Sequence, residues 1–294
     1  NQLTNILKER KNALIYEPYK TGKRSLVNMS FKALTKEGLP YRLCHIDMLN
    51  INDSETLFAK LGEYPQDPEI YTIYWIEEFQ NILRFDDWEK TILQLQKQWE
   101  NDKNSYILSG SMVNAMKYIF REKKYFYRQV EYVPFTPIDD RDIVDYIVKG
   151  FMVSGKVIDK ELAMGACKLF RGDMWYINHF VSICDTLTRG YINEAVLIDA
   201  LKMLISIHEP HFQSIVDDLT DHQLSLVKAV LDGVVRFSAS EVIEKYALNS
   251  SANVRRVKDA LKKKEVITFN EKDEPVILDP LFEYWMTKYY LERQ

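Results

Sequence analysis

The chain has 294 residues, 46% of them apolar and 28% charged, with a formal net charge of −4. That length is enough for two or three separate cores. The mild acidity gives no global reason to expect nucleic acid or an anionic membrane as a partner, and no run approaches the roughly 20 apolar residues of a membrane span. The cysteines, Cys44, Cys167 and Cys184, are odd in number, far apart and set in apolar contexts. They are expected to be buried free thiols of a cytoplasmic protein. Asn1 to Lys11 is polar and charged rather than a signal peptide. It opens without Met inside a helical pattern, so further residues are expected to precede it.

Residues 1–136 alternate helix and strand signals. Leu3, Ile6 and Leu7 form one helical face, and Ala13 to Tyr16 reads as a buried strand. A loop ending in Gly22-Lys23 leads into a helix through Leu26, Val27 and Phe31, stopped at Gly38 and Pro40. Further strands are predicted over 41–47, 70–76, 105–109 and 130–133, with a polar helix from Asp86 to Glu100. The strand over 70–76 is almost wholly apolar or β-favouring, as a strand covered on both faces should be. From Ile138 to about His211 only helical spacing is found, enough for four helices, and His208-Glu209-Pro210-His211 reads as a joint. Beyond it, helices starting at Leu219-Thr220, at Ser238 and after Asn249-Ser250-Ser251 precede two short strands, 266–269 and 275–278, around a polar turn. Three helices and a hairpin make a winged helix-turn-helix. The fold class expected is α/β: a parallel sheet with helices on both faces in 1–136, an all-α segment in 137–212, and a winged helix domain in 213–294.

Four stretches carry candidate chemistry. The first is Glu17-Pro18-Tyr19-Lys20-Thr21-Gly22-Lys23-Arg24-Ser25. A P-loop pattern asks for Gly, four residues, then Gly-Lys-Ser/Thr, with backbone N–H groups around the phosphates, the Lys on the terminal phosphates and the hydroxyl on Mg²⁺. Gly22 and Lys23 meet it. Glu17 replaces the first Gly, and Arg24 replaces the metal-ligating hydroxyl. Ser25, one residue on, is turned away by a helical step of roughly 100°. Lys20, Thr21, Gly22, Lys23, Arg24 and Ser25 are the candidate nucleotide-binding residues, and the bland alternative is that Gly-Lys merely starts a helix. The second stretch is Glu77-Glu78-Phe79-Gln80 after the third strand, with Glu77 as the candidate Mg²⁺ ligand and Glu78 as the residue polarising the attacking water. An acidic pair favouring the next helix's N-terminus explains it equally well. The third is Leu108-Ser109-Gly110-Ser111, where Ser109 is a candidate γ-phosphate sensor or part of a plain strand-to-helix turn. The fourth is the basic helix from Val254 to Lys264. It has the composition of a recognition helix, but residues 217–294 hold 12 Lys and Arg against 14 Asp and Glu. That balance favours a protein contact over DNA.

In this order the parts resemble the archaeal-type ATPase family of the AAA+/STAND P-loop NTPases across nearly the whole chain. Glu17 to Leu26 stands where that family shows Gly-Pro-Arg-Arg-x-Gly-Lys-Thr-Ser-Leu. Glu77-Glu78-Phe79-Gln80 resembles its Asp-Glu-Phe-Gln, and Leu108 to Met112 its Leu-x-Gly-Ser-Ser. Phe126-Tyr127-Arg128 matches Leu-Tyr-Gly-Arg loosely, and Arg171 to Met174 is a reduced Gly-Gly-x-Pro. Asp279-Pro280-Leu281-Phe282-Glu283-Tyr284-Trp285 is close to the closing Asp-Pro-Leu-Phe-x-x-Trp and is the most specific match. Between Asn50 and Ile70 relatives carry a longer helical connection. The resemblance implies ATP or ADP as ligand, a helical lid, and a winged helix packed on the ATPase core. An active ATPase, a nucleotide binder with little hydrolysis, and a pseudo-ATPase scaffold holding a protein or DNA partner all remain open. Loss of the hydroxyl ligand points to weak or absent Mg²⁺ and hydrolysis near background.

Overall fold

The computed structural model describes residues 1–64, 70–100 and 103–292, which form two compact units, 1–135 and 136–294. In the first, five parallel strands lie in the order β2-β3-β4-β1-β5: β1 (Asn12–Tyr16), β2 (Arg42–Asp47), β3 (Thr72–Glu77), β4 (Ser105–Gly110) and β5 (Val130–Tyr132). Every residue of β3 and β4 is buried, which is why these runs are apolar on both faces rather than alternating. Helices α1 (Gln2–Lys8) and α2 (Lys23–Lys36) cover one face, packing Leu3, Ile6, Leu7, Val27, Phe31 and Leu34 onto Ala13, Ile15, Ile73, Trp75 and Ile107. Tyr106 stacks on Tyr74 and Trp99, and Trp99 also meets Phe126. Trp99 comes from α4 (Trp88–Trp99), the helix predicted over 86–100, and a short helix α5 (Val113–Lys117) follows β4.

Parallel register brings the strand ends that matter to one edge. Tyr16 aligns with Gly110, Ile76 with Leu108, and Asp47 with Glu77. The connection between β2 and β3 contains α3 (Ser54–Gly62), a short helix capped by the Asp53 carboxylate, which accepts from Thr56 N at 2.7 Å. Residues 65–69 of that connection lie outside the described residues.

The second unit has helices α6 (Asp140–Val153), α7 (Lys160–Leu169), α8 (Met174–Leu187) and α9 (Glu194–Asp217). Strands β6 (Val157–Ile158) and β7 (Tyr191–Ile192) add a two-residue parallel pair that helical spacing alone does not reveal. Then come α10 (Asp221–Leu231), α11 (Ser240–Lys245), α12 (Ser251–Lys263) and the hairpin of β8 (Ile267–Phe269) and β9 (Pro275–Ile277). Thr220 and Gln223 form a capping box at the start of α10, and Ser250 caps α12.

The joint expected at 208–211 is not found: α9 runs through Pro210 for 24 residues. Proline there forfeits one backbone bond, a cost of about 3 kcal/mol in a helix interior. The helix continues because Leu204 and Ile205 before it, and Phe212 and Val216 after it, are buried in the same core. That core is one cluster of side chains running from Ile143 to Met286. Its C-terminal anchor is α13 (Pro280–Trp285), and the local chemistry is readable residue by residue. The Asp279 carboxylate accepts from the N–H groups of Leu281 and Phe282 at 2.8 and 3.0 Å, and Pro280 takes the first turn, where an N–H has no helical partner. Leu281, Phe282 and Trp285 are then buried, with Phe212 of α9 5.6 Å from Phe282 and 5.7 Å from Trp285 between ring centroids. Tyr176 of α8 donates to Asp279 at 2.7 Å, and Arg171 donates to the Ile277 carbonyl and pairs with Glu283.

Because lid and winged helix share this core, Trp285→Ala is expected to cost about 3–5 kcal/mol. It should shift both segments in a single earlier urea transition. Two separate transitions, followed by far-UV circular dichroism and aromatic fluorescence, would show independent cores instead.

Candidate functional site: a phosphate loop with its acids engaged

The loop between β1 and α2 is shaped by two residues of positive φ, Lys20 (67°) and Gly22 (96°), and closed by Thr21, whose hydroxyl donates to the Pro18 carbonyl at 2.8 Å. Gly22 meets no atom that would clash with a Cβ, so its backbone conformation is what favours glycine there. Lys23, the first residue of α2, is only 8% exposed. Its ammonium donates to the carbonyls of Glu17 and Pro18, both at 2.7 Å. Burial pulls its pKa down to about 8, against the opposing pull of the Glu78, Glu17 and Glu77 carboxylates. Phosphate oxygens are chemically suited to replace those two carbonyl acceptors.

Glu17 is half-buried at the start of the loop, close enough to Lys23 for the two charges to act on each other. Burial raises its pKa, while the charges of Lys23 and Lys117 and the Phe135 N–H lower it. Lys20 is exposed, its ammonium 5.2 Å from the centre of the Tyr19 ring, and Ser25 is exposed on α2.

Arg24 turns toward the sheet. Its Nε donates to Glu77 Oε1 at 2.7 Å and an Nη2 proton reaches Asp47 Oδ2 at 3.5 Å. The other Glu77 oxygen meets His45 Nε2 at 3.0 Å, and the His45 ring stacks on Trp75 at 4.2 Å. The Glu77 side chain is 8% exposed, so both its oxygens are satisfied by protein groups in a nearly dry setting. His45 and Asp47 were not singled out from sequence. Their signal is the two-residue spacing at the end of β2, which puts both on one face of an edge strand beside β3.

Mg²⁺ is the metal that a P-loop ATPase fold implies, and the residues here do not fit it. The position of its hydroxyl ligand carries a guanidinium, and that guanidinium holds the acid expected to reach the ion.

Glu78 is also engaged. It sits at φ 54°, ψ 43°, and its Oε2 accepts from Ser111 Oγ, from Ser111 N at 3.3 Å and from Gln80 Nε2 at 2.6 Å. This carboxylate therefore ties the end of β3 to the segment following β4. Ser109, expected to face a γ-phosphate, is 1% exposed and accepts from the Trp75 indole at 2.9 Å. Two-residue alternation puts it on the α2-covered side with Ile107, and the hydroxyl beside Glu78 is that of Ser111, past the end of the strand. Arg121, also missed, lies 5.9 Å from the Tyr16 ring centre and 5.6 Å from that of Tyr132, on the neighbouring β5. Arg128 lies 5.2 Å from the Tyr127 ring centre.

On the winged helix, Arg255 and Arg256 of α12 are exposed. Other cations nearby serve the protein itself: Lys258 lies 4.2 Å from the Phe269 ring centre, and Lys264 pairs with Asp218. The wing tip exposes Glu271 and Asp273 beside Lys272. No helix is long and apolar enough to cross a membrane among the described residues.

Two outcomes test this geometry. Folding lowers the Lys23 pKa from 10.5 to about 8, so between those values the unfolded chain holds more protons on this residue, and stability rises as pH climbs through the window. The stability of the wild type relative to Lys23→Met should therefore improve from about pH 8 to 10.5 in urea unfolding. A difference that stays constant would contradict the burial effect. Glu78→Ala, which leaves Ser111 and Gln80 without their acceptor, should cost about 1–3 kcal/mol. A neutral result in the same assay would remove the structural role given to Glu78.

Residues 210–288 match a family described as a probable winged helix domain. No curated protein matches the chain. Among solved structures it is similar to a Walker-type ATPase of Pyrococcus abyssi, at 13% identity and a TM-score of 0.70, over 98% of this chain and 95% of that one. It is also similar to the ADP form of the Aeropyrum pernix ORC2 protein, at 13% identity and a TM-score of 0.60, over 99% and 93%. The Thermotoga maritima RuvB Holliday junction branch migration motor follows at 10% identity and a TM-score of 0.52, over 94% and 87%. At these identities the likeness is one of fold. The chain has the fold of an AAA+ P-loop ATPase with a C-terminal winged helix domain.

Proposed function

We propose that this chain is a nucleotide-binding member of the AAA+ ATPase fold that holds ATP or ADP at the loop around Lys23 and turns it over at or near background. The observation that carries this reading is the state of the acidic pair: Glu77 is bonded to Arg24 and His45, and Glu78 to Ser111 and Gln80. Glu77 has both oxygens bonded to the protein and Glu78 has Oε2 so bonded, which leaves the pair poorly placed to orient water or a metal, and catalysis of phosphoryl transfer depends on both. Binding asks for less: a helix N-terminus, a left-handed glycine and a cation, which Gly22 and Lys23 supply. The ADP form of Aeropyrum pernix ORC2, similar in fold, supports a nucleotide at this place.

The winged helix is then the contact module for a protein partner. RuvB, a Holliday junction motor of the same fold, favours DNA as a second reading. The excess of acids in residues 217–294 and the acidic wing tip weigh against it.

Millimolar ATP is expected to raise the melting temperature of the wild type by about 2 °C or more, and Lys23→Ala should abolish the shift. Phosphate release should not exceed that of Lys23→Ala. A turnover removed by both Lys23→Ala and Glu78→Gln would refute the loss of hydrolysis, and no shift at all would favour a scaffold that binds no nucleotide.

A further inference from the structure

A P-loop of the usual kind leaves two places for positive charge beside the polyphosphate. One is the lysine, and the other is a divalent cation held through a hydroxyl at the next residue and an acid at the end of a neighbouring strand. In this chain the second place holds a side chain. Arg24 follows Lys23 directly, and its guanidinium lies 2.7 Å from Glu77 and 3.5 Å from Asp47, the two acids at the adjoining ends of β3 and β2. Glu77 has no oxygen left over, because His45 takes the second. A divalent ion brought to these acids would have to displace a guanidinium from the buried Glu77 carboxylate, or sit beside it against like-charge repulsion.

The arginine is at the same time well placed to act outward. Its side chain is 63% exposed although its Nε is anchored, and the two acids use two of its five N–H donors. The rest of a planar fork of this kind matches phosphate oxygens in a way that a lysine or a hydrated ion does not. The anchoring by Glu77 and Asp47 also reduces the freedom that an exposed arginine would lose on binding.

We propose that Arg24 is the built-in counter-cation of the site. The polyphosphate binds in its metal-free form between Lys23 and Arg24, and Mg²⁺ weakens binding by capturing the free nucleotide and neutralising the charge that Arg24 recognises. The proposal rests on the nucleotide-binding reading above and adds to it the ionic form of the ligand.

Isothermal titration with ATP, once in EDTA and once in excess Mg²⁺, tests it on the wild type, Arg24→Ser and Arg24→Lys. The wild type is expected to bind at least several-fold more tightly in EDTA. Arg24→Ser should lose about tenfold or more in EDTA, the size of one charge-assisted contact, and should no longer be weakened by Mg²⁺. Arg24→Lys keeps the charge but not the fork and should fall between them. It also supplies the comparison if Arg24→Ser fails to fold, as judged by circular dichroism. Wild-type binding that requires Mg²⁺ overturns the proposal and leaves the nucleotide reading intact. Equal EDTA affinities for the wild type and the folded variants overturn it too. No binding by the wild type in either buffer removes the nucleotide reading, and the proposal with it.

Discussion

The ion pair between Arg24 and Glu77 governs what the loop end of the sheet can do. Glu77 ends a strand buried along its whole length, and a carboxylate in such a setting must be partnered or it destabilises the fold. In a metal-dependent site the partner arrives with the nucleotide. Here it is covalently part of the helix that starts at the loop, so the acid is partnered without a ligand. The pairing also aligns three elements. Helix α2 is tied through Arg24 to β3, β3 through Glu77 to His45 of β2, and His45 lies flat on Trp75, which closes the arrangement on the sheet.

Lys23 completes the electrostatic setting. Two adjacent cations on the first turn of a helix are unfavourable next to its positive end, and each is stabilised by a different device. The ammonium is folded onto loop carbonyls, and the guanidinium is drawn off to carboxylates. An anion entering between them would relieve the repulsion. On the proposed reading, this is what makes the loop attractive to a nucleotide although the acids near it are engaged by the protein.

Most of the architecture could be read from the chain, because the signals were local. Buried strands are continuous apolar runs, and Asp279-Pro280 followed by Leu281, Phe282 and Trp285 encodes a cap, a first turn and a buried face. What escaped was set by partners distant in sequence. The side to which Ser109 points depends on its register within the sheet, and the fate of Glu78 depends on Ser111, 33 residues away. Pro210 is a true local breaker, overruled because both flanks of α9 are buried in one core. Helix α3 buries only Leu57, too little apolar content to stand out in a polar stretch. Arg24 was legible as a departure from the phosphate-loop pattern. Its partner was not, since Glu77 lies 53 residues on.

Helix α9 has a consequence for how such a chain is assembled over evolutionary time. The segment matching the winged helix family begins at residue 210, in the middle of that helix, and Phe212 and Val216 beyond it are buried with Leu204 and Ile205 before it. A gene exchange that swapped the winged helix at that boundary would cut a helix in two and open the apolar core on both sides. An exchange that left this core whole would have to carry the helical segment and the winged helix together.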